Sequence, residues 1–579
     1  MKKSKTRGFA PQSEWNNVNW RKLEITVFKL QKRIYRASNR GDVRVVRKLQ
    51  KTLMKSWSAK MLAVRKVTQQ NKGKKTAGID GKKALTKKQR LTLVAYLKIY
   101  KRPQPTRRVW IEKPGRNEKR PLGIPTIYDR ALQALTKQAL EPEWEAQFEP
   151  NSYGFRPGRS CHDAIGAIHS SINKMPKWVL DADISKCFDR INHKALLKKL
   201  NTYPSMKRLI KNWLKAGVID RGTFYPTEEG TPQGGIISPL LANIALHGME
   251  NRIKEYAETL PGRKQANRKA LNFIRYADDF VIMHKSKEVV EECQRIISEW
   301  LMDIGLELKP SKTKLVHTST GFDFLGFNIR QYSVGKNQAK QGFKTLTKPS
   351  KKKIKEHWEQ LSSEIDKHKT APQIALIKKL KPIIRGWCNY NSSAVSKRTF
   401  SKIDYELWNK LQRWGYRRHP NKSKTWVNKK YWGTKVEKPK KPWDAPKIDN
   451  WVFMTSEDNF LPKHVKTKVK RHVKVRDSRS PFDGDLIYWN DRMQKHPEMS
   501  SQKGKLFKRQ KGKCAHCGLT FRDGDLLERH HIIPRAQGGS DQIKNLELLH
   551  LHCHDEKHKT RVIEQRRPKD LPELDDNPF

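Results

Sequence analysis

Apolar and polar positions recur along this chain with two periods, and the switches between them divide it into elements. WRKLEITVFKLQKRIYRASNRG sets Leu23, Val27 and Leu30 on one stripe with Ile34 close to it, and basic residues cover much of the other side. That recurrence predicts an amphipathic helix. Asn71 to Gly81 breaks it with Gly73, Gly78 and Gly81, a loop of exposed amides and lysines. Val109 to Asp129 reads as two strands around a basic turn, and Asn151 to Ser160 as an irregular Gly/Pro/Arg segment opening a helix to about Ser171. In WVLDADI, Trp178 to Ile184, a period of two puts Asp181 and Asp183 on one strand face and Leu180, Ala182 and Ile184 on the other. In Gly230 to Leu246 the Gly234-Gly235 turn allows close approach to the backbone, and the apolar run after Pro239 predicts a buried helix. FIRYADDFVIM, Phe273 to Met283, predicts a hairpin with Asp278-Asp279 at its tip. A helix from Glu288 to about Ile304 leads to LELKPSKTKLVH and to a short strand pair, GFDFLGFNI. From about 350 the period is helical again. Residues 434 to 480 are Lys/Pro-rich and read as a partly extended connector holding a strand at Trp451 to Met454, and a last compact unit starts near 505.

Composition adds a partner. The 579 residues suffice for three or four domains, and the net charge is +64. The excess is spread along the chain, so it self-repels unless a polyanion neutralises it, which favours an extended nucleic-acid track. A membrane-surface protein could also be basic, but no stretch approaches the ~20 apolar residues of a spanning helix, so no membrane partner is expected. The first residues are basic and polar with no apolar core, so secretion is not expected; a bacterial cytoplasm or an organelle interior is. Cys161, Cys187, Cys293 and Cys388 are scattered singly and read as reduced packing residues.

Candidate chemistry sits at the pattern breaks. Asp278 and Asp279 on a rigid turn suit divalent metal, as phosphoryl transfer requires. Asp181 and Asp183, uncompensated on one strand face, call for a cation or water. Lys113 and Arg120 flank the basic turn and suit a triphosphate. Arg156 and Arg159 suit a nucleic-acid backbone. Trp387, Tyr390, Tyr405, Trp408 and Trp414 are interleaved with Lys and Arg, which suits a helical bundle whose exposed face grips a backbone. In the last unit, Cys514-x-x-Cys517 and His550-x-x-Cys553 make a Cys₃His set suited to closed tetrahedral Zn²⁺.

The order of these pieces resembles the group II intron-encoded reverse transcriptases, or maturases. The resemblance implies a multidomain α+β fold: a right-hand polymerase with fingers and an antiparallel palm sheet, a helical thumb, and a separate terminal unit. The expected division is a helical basic N-terminal extension (1–85), fingers and palm (86–345), thumb/maturase region (346–433), basic DNA-binding linker (434–504) and terminal nuclease (505–579). It implies Asp183, Asp278 and Asp279 as ligands of two Mg²⁺, and Lys113 and Arg120 on the incoming dNTP. Phe188 falls where an aromatic under the sugar excludes a 2′-hydroxyl. Gln233 and Gly234 fall in the nucleotide and template pocket, and Lys312, within LKPSKTK, falls near phosphate.

ERHHIIPRAQGGSDQIKNLELL resembles the HNH nucleases, a ββα-metal fold. The resemblance implies His531 as general base and His530 as a metal ligand. It implies Asn545 as the residue orienting loop and base. His554 and His558, four apart on one helix face, complete a divalent-metal site. The implied whole is an RNA-directed DNA polymerase that binds its intron RNA, promotes splicing, and nicks target DNA to prime copying. The alternative is an RNA-binding splicing maturase without significant polymerase or nuclease activity. Intact Asp183, Asp278, Asp279 and His531 weigh against it.

Overall fold

The computed structural model describes residues 15–99, 102–112, 119–437, 446–522 and 524–565. Lys113 lies outside them. The chain opens with α1 (Trp20–Asn39), α2 (Val43–Lys55) and α3 (Trp57–Arg65), each started by a side-chain cap from Asn19, Asp42 and Ser56. Val27 and Ile34 of the predicted stripe are buried, while Leu23 and Leu30 pack on it half-exposed. A fourth helix, α4 (Lys87–Tyr96), follows. These helices share one core with α5 (Ile127–Glu145), so the boundary expected at 85 does not separate two cores.

The fingers carry β1 (Thr106–Glu112) and β2 (Lys119–Ile124). After α6 (Cys161–Ile172) comes β3 (Trp178–Asp183), then the short β4 (Val218–Asp220) and β5 (Thr223–Tyr225). The hairpin is β6 (Asn272–Tyr276) and β7 (Asp279–His284), followed by β8 (Lys314–His317). The palm sheet has the order β6-β7-β3-β8, and the fingers sheet β2-β1-β4-β5. Both faces of the palm sheet are covered: Leu180, Ala182, Phe280 and Ile282 face the helical core, and Val179, Val281 and Met283 face a second core under α6. A third sheet, β9 (Phe322–Phe324), β10 (Phe327–Ser333) and β11 (Phe343–Pro349), leads to the thumb helices Lys351–Lys367, Gln373–Tyr390 and Lys397–Arg418. There His357 stacks on Trp387 with centroids 4.3 Å apart, and Trp414 is buried, whereas Tyr405 and Trp408 are exposed.

The expected linker is built. Strands β12 (Trp432–Glu437) and β13 (Lys447–Phe453) pair, and helices follow at Leu486–Lys495 and Ser501–Arg509. Residues 463–500, which include the first of these helices, form a strap across thumb and palm. The Asp404 carboxylate accepts from the backbone of His464 and Val465 at 2.8 and 2.9 Å. Asp163 in α6 accepts from Val475 N at 2.7 Å, His472 at 3.1 Å and Arg492 at 2.8 Å. Local composition reads this stretch as extended because its anchors are distant in sequence. Among the described residues no helix is long and apolar enough to cross a membrane.

Candidate active sites and metal centres

The polymerase candidates meet because of strand register. Asp183 ends β3 and pairs directly with Asp279 in β7. The hairpin turn is Ala277-Asp278, not Asp278-Asp279 as the sequence suggested: Tyr276 pairs with Asp279, and Ala277 takes the left-handed φ of +59°. Asp278 is thus thrust out at the tip, while its carbonyl accepts from Ile184 N at 3.2 Å. The turn is buttressed from below. Buried Arg275 donates to Ala277 O at 3.1 Å and to Asn243 Oδ1 at 3.1 Å, and Asn243 donates to Gly154 O at 2.8 Å. A Cβ on Gly154 would collide with the Ala277 backbone, so only glycine lets that loop approach.

The electrostatics are those of crowded anions. Burial, then the charges of Asp278 and Asp183, push the Asp279 carboxyl up to about 8. Burial raises Asp278 too, opposed by Lys312 and Arg120. Burial raises Asp181 to about 7. Lys312 Nζ is ion-paired with Asp183. Lys312, Arg120 and, beside Asp181, Lys314 oppose this crowding only in part, and an all-oxygen donor set of partly buried carboxylates fits hard divalent cations.

Around this centre, Phe188 packs edge-on against Phe155, centroids 5.9 Å apart. Phe155 holds a left-handed φ of +59° and is 48% exposed. Gln233 donates to Asp189 Oδ1 at 3.4 Å and accepts from Gly123 N at 2.6 Å. Gly234 has φ +121°, and a Cβ there would lie 2.7 Å from Gly123 O. Arg120 is exposed on β2 facing this site.

Two candidates are structural instead. Arg156 is 3% exposed and forms a buried pair with Glu145 at 2.9 Å, also donating to the carbonyls of Glu149 and Ser152. Arg159, 5% exposed, donates to the carbonyls of Pro150, Asp477 and Arg479 and pins the strap. Neither reaches a nucleic-acid backbone.

In the terminal unit, β14 (Leu527–His531) pairs with β15 (Leu546–His550), and the helix Leu551–Gln565 follows. Cys514, Cys517, His550 and Cys553 converge, with ligand atoms within 4.8 Å of one another. The three sulfurs and one imidazole suit tetrahedral Zn²⁺. His550 Nδ1 lies 3.5 Å from Cys517 Sγ, and its Nε2 lies 3.5 Å from Asp525 Oδ2. Asp525 thereby orients that imidazole, a role no local motif showed. Lys66 of the helical N-terminal region reaches Asp525 at 3.1 Å. Nearby, Arg65 meets His552 at 2.9 Å, Gln69 donates to Glu556 at 2.6 Å, and Leu519 enters the N-terminal core.

A second convergence is His530, His554 and His558. His554 and His558 face each other with Nε2 atoms 3.1 Å apart, and His530 sits 5.4 and 5.3 Å from their ring centroids. Imidazole nitrogens turned onto one point suit a divalent metal. His531, next along β14, points its Nε2 at Asp541 Oδ1, 2.7 Å away, and Arg535 steadies Asp541. Asn545 staples the intervening loop: Oδ1 accepts from Ile533 N at 2.8 Å, and Nδ2 donates to Ile533 O and Ser540 O at 3.0 and 2.8 Å.

Comparison with known proteins follows the same order along the chain. Residues 15–97 match the N-terminal domain of reverse transcriptase, and 111–329 match the reverse transcriptase (RNA-dependent DNA polymerase) family. Residues 352–432 match the group II intron, maturase-specific domain, and 514–560 the HNH endonuclease family. Protein YkfC of Escherichia coli is 33% identical over 51% of this chain and 85% of its own length. The group II intron-encoded protein LtrA of Lactococcus lactis subsp. cremoris is 36% identical over 39% of this chain, a match spanning about half, 47%, of LtrA. The "Uncharacterized 91 kDa protein in cob intron" of Schizosaccharomyces pombe is 27% identical over 77% of this chain and 59% of its own. Strand register, donor sets and these matches converge: the chain belongs to the group II intron-encoded reverse transcriptase/maturase family and carries an HNH endonuclease domain.

Proposed function

We propose that this protein copies intron RNA into DNA at the palm, assists splicing of that RNA through the thumb, and nicks target DNA with the terminal domain to provide the primer. The observation that carries the polymerase reading is Asp279 opposite Asp183, with Asp278 beside it at the turn. Those three carboxylates are the proposed Mg²⁺ ligands. When bound, a divalent pair lowers the pKa of the primer 3′-hydroxyl and neutralises the departing pyrophosphate. The chain's own groups do the rest. Lys312 and Arg120 offer charge to the triphosphate, with Lys113 expected beside them. The Phe188 ring fills the space a ribose 2′-hydroxyl needs, and Gln233-Gly234 walls the nucleotide pocket.

In the terminal domain His531 is the proposed general base. With Nε2–H donated to Asp541, its Nδ1 is the basic nitrogen that accepts a proton from water. His530, His554 and His558 would hold a cation that stabilises the leaving oxygen. Cys514, Cys517, His550 and Cys553 would hold Zn²⁺ as a structural centre. On the thumb, exposed Tyr405 and Trp408 lie one helical turn apart beside exposed Arg398 and Lys402, a stacking and backbone surface suited to structured RNA. The segment 434–504, between thumb and nuclease, is the proposed DNA-holding element.

The test is dTTP incorporation on poly(rA)/oligo(dT), run beside a splicing assay. Incorporation by the unaltered protein and none by Asp278→Ala is expected. No incorporation at all, with Asp278→Ala splicing normally, would leave a splicing factor only.

A further inference from the structure

At the end of β6 opposite the Ala277-Asp278 turn, a cavity of about 270 Å³ opens between α6, β6 and the strap. Lys177, Lys269 and Lys474 line it with Asn151, Ser170 and Asn272, and among the described residues no carboxylate does. Three ammonium groups come there from three separate segments.

Lys177 caps the C-terminus of the helix Lys264–Ala270 through Ala270 O, and Lys269 lies in that helix's last turn, but none of the three caps α6. The last carbonyls of α6 already have donors: Asn173 N on His169 O, Gln331 Nε2 on Ile172 O at 2.6 Å, and the hydroxyls of Ser170 and Ser171 on Gly166 O and Ala167 O. Nor are they ion-paired: among the described residues none of the three has an acidic partner within bridging distance. Glu250, behind Asn151, accepts from Asn151 N and Nδ2 at 3.3 and 2.7 Å.

Lys177 decides the chemistry. It is 5% exposed, and its Nζ donates only to neutral acceptors, Ala270 O at 3.0 Å and Asn272 Oδ1 at 2.7 Å. An ammonium buried on such terms is costly unless an anion joins it. Burial and the charge of Lys254 hold its pKa down at about 8, opposite to a lysine that already has a counter-anion. The rim continues the charge, with Lys174 and Arg471 both exposed on flanking segments. A polymer of phosphates uses such a rim; a single small anion does not.

The geometry points to a phosphate-binding site at the back of the palm, filled by a backbone phosphate of an RNA strand crossing the trough between palm and strap. This site is separate from the nucleotide pocket and does not depend on the polymerase or nuclease assignments.

The test uses the full chain and a 20-nucleotide RNA, with a DNA of equal sequence and inorganic phosphate as further probes. Lys269→Gln with Lys474→Gln removes the two outer charges and leaves buried Lys177 in place. A lost phosphate contact flattens the log Kobs against log salt slope by about 0.7 for a single strand, so a drop of about 0.7 is expected for the one phosphate seated here. Lys207→Gln with Lys211→Gln, two exposed lysines of the helix Pro204–Leu214, is the control and should change the slope little. Acylation of exposed Lys269 in the unaltered protein, read by mass spectrometry, should be slowed by the RNA and not by 10 mM phosphate. An unchanged slope in the pocket variant, or protection by neither probe, overturns the site. Protection by inorganic phosphate alone, or by the DNA alone, overturns its assignment to RNA.

Discussion

Asp183 and Asp279 face each other across the β3–β7 ladder as a directly paired register position, so each carboxylate is placed by the other's strand. A one-residue slip of either strand would turn one of them to the opposite face. Replacing either Asp183 or Asp278 with Asn should therefore cut DNA synthesis on the order of 10³-fold or more while the fold survives. Primer extension measures the first effect. Thermal unfolding in EDTA measures the second, and the midpoint should hold or rise because crowded negative charge has been removed.

The raised Asp279 carboxyl gives a pH prediction with a definite sign. Its folded pKa lies above the unfolded value, so the folded metal-free protein binds the proton more tightly. That contribution is complete below about 4 and is lost as pH rises through about 8. Metal ions bind the ionised form. The rise in unfolding temperature on adding 10 mM Mg²⁺ should accordingly be larger at pH 8 than at pH 6, by calorimetry. Equal shifts at both would remove these carboxylates from the metal site.

What was legible in the sequence followed from short-range periodicity. A period of two is enough to put Asp181 and Asp183 on one face, and Cys-x-x-Cys needs no distant information. Partners brought in by tertiary packing were not legible. Arg156 and Arg159 look like surface charges until Glu145 and a set of carbonyls bury them. Residues 463–500 look like a connector because Asp404 and Asp163, which anchor them, lie far earlier in the chain. Asp525 and Asp541 carry no motif of their own; only the fold sets them against His550 and His531.

At the Cys514, Cys517, His550 and Cys553 site that hidden partner is Asp525. Asp525→Asn keeps the shape but weakens the acceptor behind His550, so zinc affinity should fall about 10–100-fold. Because Lys66 also leans on Asp525, zinc removal should loosen the N-terminal helices it touches. Hydrogen exchange over residues 57–70 with and without chelator measures this. Unchanged exchange in the zinc-free protein would mean that the contact transmits nothing.

For the nuclease, Asp541→Asn leaves a side chain that can still bond His531 but no longer holds a charge against it. Nicking should fall by about 10²-fold, whereas His531→Ala should abolish it. Asn545→Ala unties both ends of the 533–540 loop and should cost a comparable factor through position alone. All three variants should extend a primer at the unaltered rate, since none lies on the palm. A plasmid nicking assay run beside primer extension separates the two activities.

Phe188 stands against Phe155, whose backbone is held in a left-handed conformation that a large side chain adopts only when its surroundings over-determine it. That places a second aromatic beside the proposed sugar gate. If Phe188 excludes ribonucleotides by filling space, its stiffness matters as well as its size. Phe188→Ala should raise the ribonucleotide-to-deoxynucleotide incorporation ratio by about 10²-fold or more, through removal of a direct clash. Phe155→Ala leaves the gate in place but frees it to tilt, so the ratio should rise by a smaller factor, about 10-fold, with deoxynucleotide KM little changed. Single-turnover incorporation of rNTP against dNTP on one template gives both ratios. A Phe155→Ala protein that discriminates like the unaltered one would show that the gate stands without its neighbour, and one as permissive as Phe188→Ala would show that the two rings act as a single wall.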